Sequence, residues 1–410
     1  MRLVVSFAAL FASVVLLQLS SGGVGPLDAL SGVVLGFTTT QIGLLGSAHF
    51  AGFFLGCWWA PRLMGSVGHA RAFAAFAALG TIGILGHVLT DNAYAWAALR
   101  SAQGVCIAGC YTVIEAWLQA KVINETRGRA MGAYRLTDLG AQLCAQLVIS
   151  VLPPAHYASY TLLAMVCCAA LLPMSLTRLP QPEIPDAPRL QPRLAWTRSP
   201  LAVAGVLVSA LSGASFRMVG PVYGTAVGLD ASMIAIFLAS FVAGGALAQY
   251  PVGWLADRYD RRSVLIWLSV AAVVSCALTA AMPGAHPWAI LGLAAFFGLT
   301  TYPIYSVAAA HAHDFAESHE RVELSAALMF WYATGAIGAP YMAAALIEAY
   351  GPPALFIMIA LGHLALVVFG LVRMRARPLA TTRTPYVYAP RTSFTVGRLL
   401  GRLRDPGRDR

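Results

Sequence analysis

Ionisable side chains inside long apolar segments are the residues of this 410-residue chain best suited to chemistry. A charged group in hydrocarbon is costly, so it normally pairs with another group or lines a wet pathway. The residues in question are Arg100, Glu115, Arg135, Asp138, Arg217 and Glu323. Their chemistry would be the binding of a charged solute or the uptake and release of protons, and the elements that position them must be membrane helices.

Composition supports that reading. Hydrophobic residues make up 59% of the chain and charged residues 11%, with a mean hydropathy of +0.71. A soluble protein needs about a quarter of its residues charged, so a soluble globular fold is excluded. Windows of about 20 residues, the length that crosses a bilayer, give twelve spans. The first, 3–24, also resembles a signal peptide, and an uncleaved helix is preferred because the bundle needs it.

The basic residues predict the orientation. Apart from Arg100, Arg135 and Arg217, they fall at the N-terminus, after even-numbered spans or in the C-terminal tail. The loops after odd-numbered spans are expected to hold Asp28, among other aspartates, and no Lys or Arg. Lys and Arg stay in the cytoplasm, so both termini are predicted to be cytoplasmic and the protein to lie in a bacterial inner membrane.

The spans divide into two groups of six. The stretch 178–199 is rich in proline and arginine without an apolar period, which is typical of a polar linker. The predicted organisation is a bundle over 1–177, a linker over 178–199, a second bundle over 200–374 and a basic, disordered tail over 375–410. The formal charge of +10 is expected to meet anionic lipid headgroups and not nucleic acid.

Two motifs carry a resemblance to a known family. The segment GWLADRYDRR, from Gly253 to Arg262, resembles the G-x-L-A-D-R-x-G-R-R loop of the major facilitator superfamily. Arg100, Gln103 and Gly104 resemble its R-x-x-Q-G motif. The segments EAWL at 115–118 and TRGR at 126–129 further resemble an uncharacterised bacterial subgroup. The resemblance implies an all-α fold of two pseudo-symmetric six-helix bundles.

The first half departs from the family pattern. Pro61 stands at the aspartate position of the loop motif, and the G-x-x-x-G-P motif of drug and proton antiporters is missing from span five. The resemblance to multidrug antiporters is thereby weakened.

The loop motif predicts a conformational latch. An aspartate can cap the exposed N–H groups that begin a helix, and Asp257 is placed to do so. The resemblance implies that the capped helix is span five, near Gly128. Arg261 is expected to pair with Asp314. The other latch residues are Gly253, Arg258 and Arg262. The alternative is a loop that merely follows the distribution of positive charge.

In the superfamily, spans one, four, seven and ten line a central cavity. If this holds here, Arg100 and Arg217 face the same space, where two guanidinium groups favour a carboxylate or phosphate. Gln103, Tyr302 and Tyr305 are expected to line the same cavity. The alternatives are that the arginines anchor acidic neighbours or carbonyl groups, and that the tyrosines mark a packing kink.

Glu115 and Asp138 are candidates for a proton site. Arg135 and Asp138 are three residues apart and share a helix face, within reach of Glu115 if spans four and five are neighbours. Burial favours a protonated carboxyl and a nearby arginine favours the ionised one, so alternation between these surroundings could couple protons to transport. The competing interpretation is a fixed salt-bridge cluster that holds the two spans together.

No phosphate-binding loop, hydrolase motif or metal-ligand spacing occurs, so neither an enzyme nor a bound cofactor or metal is predicted. The sequence predicts a monomeric secondary transporter that moves a small organic solute, with anions among the candidates, by alternating access with proton coupling. The alternatives are an uncoupled facilitator, an exporter of amphiphiles and a sensor or scaffold that transports nothing.

Overall fold

The computed structural model describes residues 2–121, 124–176, 189–282, 284–376, 383–389, 391–394 and 397–398. Side chains are described for all of these except 2–6, 121 and 124–128. Most of the predicted linker, residues 177–188, therefore lies outside the described part of the chain.

Within the described part of the chain, eleven helical spans are long and apolar enough to cross a membrane. A more polar helix of 25 residues, Asn124–Val148, makes twelve long helices in chain order. The first six are α1 (Arg2–Val34), α2 (Thr39–Val67), α3 (His69–Gly86), α4 (Ala93–Lys121), α5 (Asn124–Val148) and α6 (Tyr157–Ala169, then Leu171–Ser175). The last six are α7 (Pro200–Ala226), α8 (Ala231–Arg258), α9 (Arg261–Ala281), α10 (Pro287–Thr301, then Ile304–His313), α11 (Arg321–Tyr350) and α12 (Ala354–Ala376). This confirms the predicted all-α membrane fold.

Local chemistry sets several helix boundaries. Thr38 begins α2 with a capping box, in which its hydroxyl accepts from the Gln41 N–H at 3.1 Å and the Gln41 side chain accepts from the Thr38 N–H at 2.9 Å. Helix α10 breaks at Tyr302, just before Pro303, because proline has no N–H to donate. A short helix, Pro192–Arg198, precedes α7 and is called the linker helix.

Glycines let two pairs of helices touch backbone to backbone. A Cβ added at any of four glycines would collide with a carbonyl oxygen of the facing helix. The pairs are Gly52 with Ser101 and Gly104 with His49 between α2 and α4, and Gly244 with Ala295 and Gly298 with Phe241 between α8 and α10. The same crossing thus occurs once in each group of six helices, as expected for an internal repeat.

We call α1–α6 the amino half and α7–α12 the carboxyl half. The linker side is the face at which α2 and α8 end, at Val67 and Arg258. The opposite side is the face at which α1 and α7 end, at Val34 and Ala226.

The two halves meet on the opposite side through α2 and α11. The Thr40 N–H donates to Glu348 Oε2 at 2.8 Å, and the Tyr341 N–H donates to Ser47 Oγ at 3.2 Å. A Cβ at Gly43 would lie 2.6 Å from the Pro340 carbonyl oxygen, so the two helices are in close contact there. The opposite side is therefore closed along this seam.

On the linker side, part of the C-terminal tail enters the space between the halves. This inserted segment comprises residues 383–389 and 391–394. The Ala389 N–H donates to Ser306 Oγ at 3.1 Å, and the Phe394 ring packs edge-on against Phe54 with centroids 5.8 Å apart. Ser393 is fully buried. The described residues thus differ from the disordered tail expected from the sequence, because individual hydroxyl and aromatic side chains fit a polar interior without any apolar period.

Candidate functional site

A cavity of about 150 Å³ lies between the two halves. One water molecule needs roughly 10–15 Å³ by this measure, so the cavity can hold several waters or one small solute. Helices α1, α2, α4, α5, α7, α10 and α11 and the inserted segment contribute side chains to it. Its polar lining includes Gln18, His49, Gln142, Gln146, Arg217 and Tyr332. Such a lining suits a polar or charged solute.

Arg100 borders the cavity and has a carboxylate partner. Its Nε lies 3.3 Å from Asp28 Oδ2, and both side chains are almost completely buried. Gln103 accepts a hydrogen bond from Arg100, and the Tyr160 hydroxyl donates to Asp28 Oδ1 at 3.0 Å. The structure therefore favours the interpretation that Arg100 anchors an acidic neighbour and that Gln103 supports it.

The expected position of Asp28 in a loop is wrong. Helix α1 continues through Pro26 to Val34 and carries Asp28 into the protein interior. A proline inside a helix removes one backbone hydrogen bond, and in a membrane bundle neighbouring groups can compensate for it. The ring of His87, 3.6 Å from Asp28 Oδ2, completes the buried polar surroundings.

Arg217 lines the same cavity without a described ion pair. Its Nε is buried and has no hydrogen-bond partner among the described residues. Within that part of the chain no carboxylate lies within 4.0 Å of it, although Arg100 has one. His49 Nδ1, another buried atom of the cavity wall, is equally unsatisfied there. Asp138 lines the same cavity and interacts with Arg217 electrostatically without forming an ion pair, so Arg217 keeps a buried nitrogen that a ligand could satisfy.

Asp138 and Arg135 share a face of α5 but do not form the expected cluster with Glu115. Among the described residues, no ion pair of 4.0 Å or less joins Arg135 to either carboxylate. Asp138 accepts from the Tyr111 hydroxyl at 2.6 Å, and the Arg135 guanidinium lies 4.5 Å from the Tyr388 ring. A fixed salt-bridge cluster is therefore not what connects α4 with α5.

Glu115 is buried among hydroxyl groups. It accepts hydrogen bonds from Tyr134 at 3.2 Å and from Thr392 and Ser393 of the inserted segment. It is 1% exposed and has no cation within 4.0 Å in the described part of the chain. Neutral donors leave a carboxylate free to gain or lose a proton without breaking an ion pair.

The two predicted tyrosines lie at the break in α10. The Tyr302 hydroxyl donates to Gln142 Oε1 of the other half at 2.8 Å and its side chain lines the cavity. The Tyr305 hydroxyl approaches Met329 Sδ at 4.0 Å on the neighbouring helix α11. Both tyrosines also face Arg391 of the inserted segment.

The predicted latch residues surround a single buried guanidinium. Arg261 Nη1 donates to Asp314 Oδ1 at 2.6 Å, the pair expected from the sequence, and its Nη2 lies 3.1 Å from Asp257 Oδ1. Arg261 also donates to the Thr384 carbonyl oxygen of the inserted segment. Burial raises the pKa of Asp314 above its ordinary value, although the adjacent Arg261 opposes that rise.

The inserted segment contacts Asp257, one of the predicted latch residues. Asp257 Oδ1 accepts from the Tyr386 N–H at 2.8 Å, and a Cβ at Gly253 would lie 2.8 Å from the Tyr386 ring. The expected partner of Asp257, the start of α5 near Gly128, lies outside the described side chains.

The remaining two motif arginines make local contacts. Arg258 lies 5.2 Å from the Trp254 ring on α8. Arg262 pairs with Asp260 at 3.0 Å, next to it at the start of α9.

Sequence reasoning missed His49, Asp28 and Arg391, and also the lining residues Gln18, Gln142, Gln146 and Tyr332. His49 is a lone histidine in an apolar span, a signal that could have been used. Asp28 lies in a segment that the sequence predicts to be a loop. Arg391 is one arginine among many in the tail, and no local pattern distinguishes it. Among the described residues, no group of three His, Cys, Asp or Glu side chains is arranged to hold a metal ion.

Comparisons with known proteins agree with this architecture. Residues 201–404 match the family described as Major Facilitator Superfamily. An uncharacterised MFS-type transporter of Enterobacter sp. (strain 638) is 30% identical over 354 residues, which cover 86% of this chain and 90% of that protein. The uncharacterised MFS-type transporter YcaD of Escherichia coli O7:K1 is 28% identical over 326 residues, covering 79% of this chain and 84% of that protein.

Solved structures share the fold. The nucleoside transporter NupG superposes with a TM-score of 0.74 at 14% identity, over 92% of this chain and all of that one. A bacterial homologue of the human lysosomal transporter Spinster, in an inward-facing and occupied conformation, gives a TM-score of 0.70 at 16% identity over 90% and 94% of the two chains. With a relative that is 30% identical along nine tenths of its own length, the chain belongs to the major facilitator superfamily of membrane transporters.

Proposed function

We propose that the protein is a secondary transporter for a small organic solute that carries a carboxylate or a similar anion. The observation that carries the proposal is Arg217, which lines a cavity between the two halves with a buried, unsatisfied Nε and, among the described residues, no carboxylate within 4.0 Å. A charge without an ion pair at this depth is unfavourable unless something neutralises it. A bound anion would supply that charge, whereas Arg100 already has Asp28.

The distribution of charge supports an orientation. The connections on the opposite side contain no Lys or Arg, so the linker side is the cytoplasmic one in a bacterial inner membrane. The seam between α2 and α11 then closes the periplasmic side, and the solute would reach the cavity from the cytoplasmic side. The Spinster homologue was described as inward-facing, which supports the same state here.

Glu115 is the preferred proton site in this proposal. It is buried, lacks a described cationic partner and lies between α4 and the inserted segment. Asp138, hydrogen-bonded to Tyr111, is the second candidate. Because neither carboxylate forms an ion pair with Arg135, each can change its protonation state as its surroundings change with the conformation of the bundle.

The proposal is tested by binding and by counterflow with the purified full-length protein. A thermal-shift screen over metabolite classes should find stabilising ligands among small carboxylates or phosphates. In proteoliposomes the radiolabelled ligand should show counterflow. Arg217→Gln should abolish both effects, while Arg217→Lys, which keeps the positive charge, should retain part of the binding.

Other results of the binding and counterflow experiments would indicate one of the alternative functions. Stabilisation by cationic ligands alone, or full binding in Arg217→Gln, contradicts the anion site. Counterflow without any response to a pH gradient indicates an uncoupled facilitator, and a preference for amphiphiles indicates an exporter of such compounds. Binding without counterflow indicates a sensor or scaffold with the same fold.

A further inference from the structure

Three tyrosines of the carboxyl half surround a guanidinium that belongs to the tail. The Arg391 guanidinium carbon lies 5.1 Å from the Tyr302 ring, 5.7 Å from the Tyr305 ring and 5.1 Å from the Tyr332 ring. Cations are attracted to aromatic faces within about 6 Å. We call these three rings the tyrosine box.

The tyrosine box holds its cation without a carboxylate. Arg391 Nη1 donates to Ser209 Oγ at 3.3 Å, and among the described residues no acidic oxygen lies within 4.0 Å of the guanidinium. The Tyr305 and Tyr332 rings meet edge to face with centroids 5.5 Å apart, so the two rings brace each other. Aromatic faces and one hydroxyl are the means by which proteins recognise ammonium and guanidinium ligands.

The box also opens onto the cavity. Tyr302, Tyr332 and Arg391 all line the same space as Arg217. Arg391 belongs to the inserted segment and not to a membrane helix, so its place could be taken by another cation without unfolding the bundle. A ligand tethered to its own site acts at an effective concentration on the order of millimolar.

We propose that the tyrosine box is a cation subsite of the transport cavity, and that Arg391 occupies it as a tethered competitor of a guanidinium or ammonium group on the solute. The inference rests on the proposed function and deepens it, because a solute held by both Arg217 and the box carries an anion and a cation. While Arg391 occupies the tyrosine box, the tail lowers the apparent affinity of the cavity for such a zwitterion. The solute must displace Arg391 in order to bind the box.

The test compares two probes that differ only in charge. The probe 4-guanidinobutyrate has a carboxylate and a guanidinium, and 4-ureidobutyrate replaces the guanidinium by a neutral group of the same shape. Binding of each is measured by titration calorimetry with the full-length protein and with Arg391→Ala. The matched control is Arg383→Ala, which removes an exposed arginine of the same segment whose Nη1 donates to the Tyr259 carbonyl oxygen at 2.9 Å.

Arg391→Ala should bind 4-guanidinobutyrate about tenfold more tightly than the natural protein or Arg383→Ala, because the box is vacated. The affinity for 4-ureidobutyrate should change much less. Arg391→Lys should bind the guanidinium probe nearly as weakly as the natural protein, because an ammonium group refills the box. Adding Tyr332→Leu to Arg391→Ala should abolish the gain.

Equal affinities of the two probes for Arg391→Ala, or a gain that persists with Tyr332→Leu, would overturn the cation subsite. Thermal melting of every variant shows whether it is folded. The anion site is tested separately, because Arg217→Gln should abolish the binding of 4-ureidobutyrate, which has no cation. Counterflow tests transport. The subsite can therefore fail while the proposed function stands, and the reverse can also occur.

Discussion

At the scale of single residues, two arginines that look alike in the sequence differ in the structure. Both interrupt apolar helices, and both reach the central cavity. Arg100 is neutralised by Asp28, whose remaining oxygen accepts from Tyr160. Removing one member of such a buried pair leaves the other charge uncompensated, so Arg100 is tied to stability first. Arg217 has no such partner among the described residues and is available to a ligand.

Among single residues, Glu115 is the one whose substitution should separate proton coupling from transport. Glu115→Gln keeps the shape of the side chain and one accepting oxygen but cannot exchange a proton, and its amide NH2 would have to donate to a hydroxyl oxygen where a carboxylate oxygen now accepts. In proteoliposomes with an imposed pH gradient, the variant should lose concentrative transport while counterflow continues at a rate within about threefold of the natural protein. Counterflow needs no net proton movement, so the loss of the proton site should leave it nearly unchanged.

Asp138→Asn is the matched comparison, since its carboxylate accepts a hydrogen bond from Tyr111 and also lacks an ion pair with Arg135. Loss of coupling in this variant instead would transfer the proton site to α5. Concentrative transport by Glu115→Gln at the natural rate would remove Glu115 from that role.

At the scale of elements, close helix crossings fix where the cavity walls stand. Helix α4 carries Arg100, Glu115 and Gly104, and its contact with α2 is backbone to backbone. In lipid there is little hydrophobic drive between helices, so small residues at crossings supply the packing that holds them together. The same backbone contact occurs at Gly298 between α8 and α10, so the carboxyl half is packed in the same way.

Gly104→Ala should therefore destabilise the protein strongly. The added Cβ would collide with the His49 carbonyl oxygen and lie 2.6 Å from the Phe53 nitrogen, and backbone atoms cannot rotate away. Overpacking of this kind costs about 1–3 kcal/mol or more. The measurement is the melting temperature in detergent, which should fall clearly below that of the natural protein.

Gly140→Ala on α5 is the control, because nothing lies within 4 Å of the Cβ it would add. Alanine is a better helix former than glycine by about 0.5–1 kcal/mol, so this variant should melt at the same temperature or slightly higher. Indistinguishable melting of the two variants would show that α2 and α4 are not packed as described.

At the scale of the whole molecule, the two halves are joined on one side and separated by the inserted segment on the other. The segment contacts both halves, through Glu115 in the amino half and through Ser306 in the carboxyl half. Alternating access requires that the seam near Thr40 and Glu348 open when the linker side closes. The proposed function therefore predicts that the seam is a moving part and not a permanent interface.

A cross-link across the seam should stop transport. Thr40→Cys with Glu348→Cys puts one thiol on each helix of the seam, beside the contact in which the Thr40 N–H donates to Glu348 Oε2 at 2.8 Å. The exposed native Cys144 and Cys168 are first replaced by serine. Oxidation should abolish counterflow, and a reducing agent should restore it.

Each single cysteine variant, oxidised in parallel, is the control and should keep its counterflow. Undiminished counterflow by the oxidised double variant, with cross-linking verified by mass spectrometry, would mean that this seam does not move during transport.

The sequence by itself determined the membrane helices and the pairing of Arg261 with Asp314, while the division around the 178–199 stretch stays a prediction. These features depend on local hydropathy, on composition and on a motif of ten residues, all of which are visible in the chain. The eleven apolar spans in the described part of the chain needed no tertiary information, because a stretch of about 20 apolar residues can satisfy its backbone in lipid only as a helix.

Only the tertiary structure decided which partners Asp28, Arg100 and Glu115 have inside the bundle. Asp28 meets Arg100 because α1 continues beyond Pro26, and Glu115 meets Ser393 although 278 residues separate them in the chain. Such contacts depend on the depth and rotation of each helix within the bundle, and neither follows from the pattern of one segment. The tail shows the same limit, since Arg391 becomes distinctive only through the three rings that fold around it.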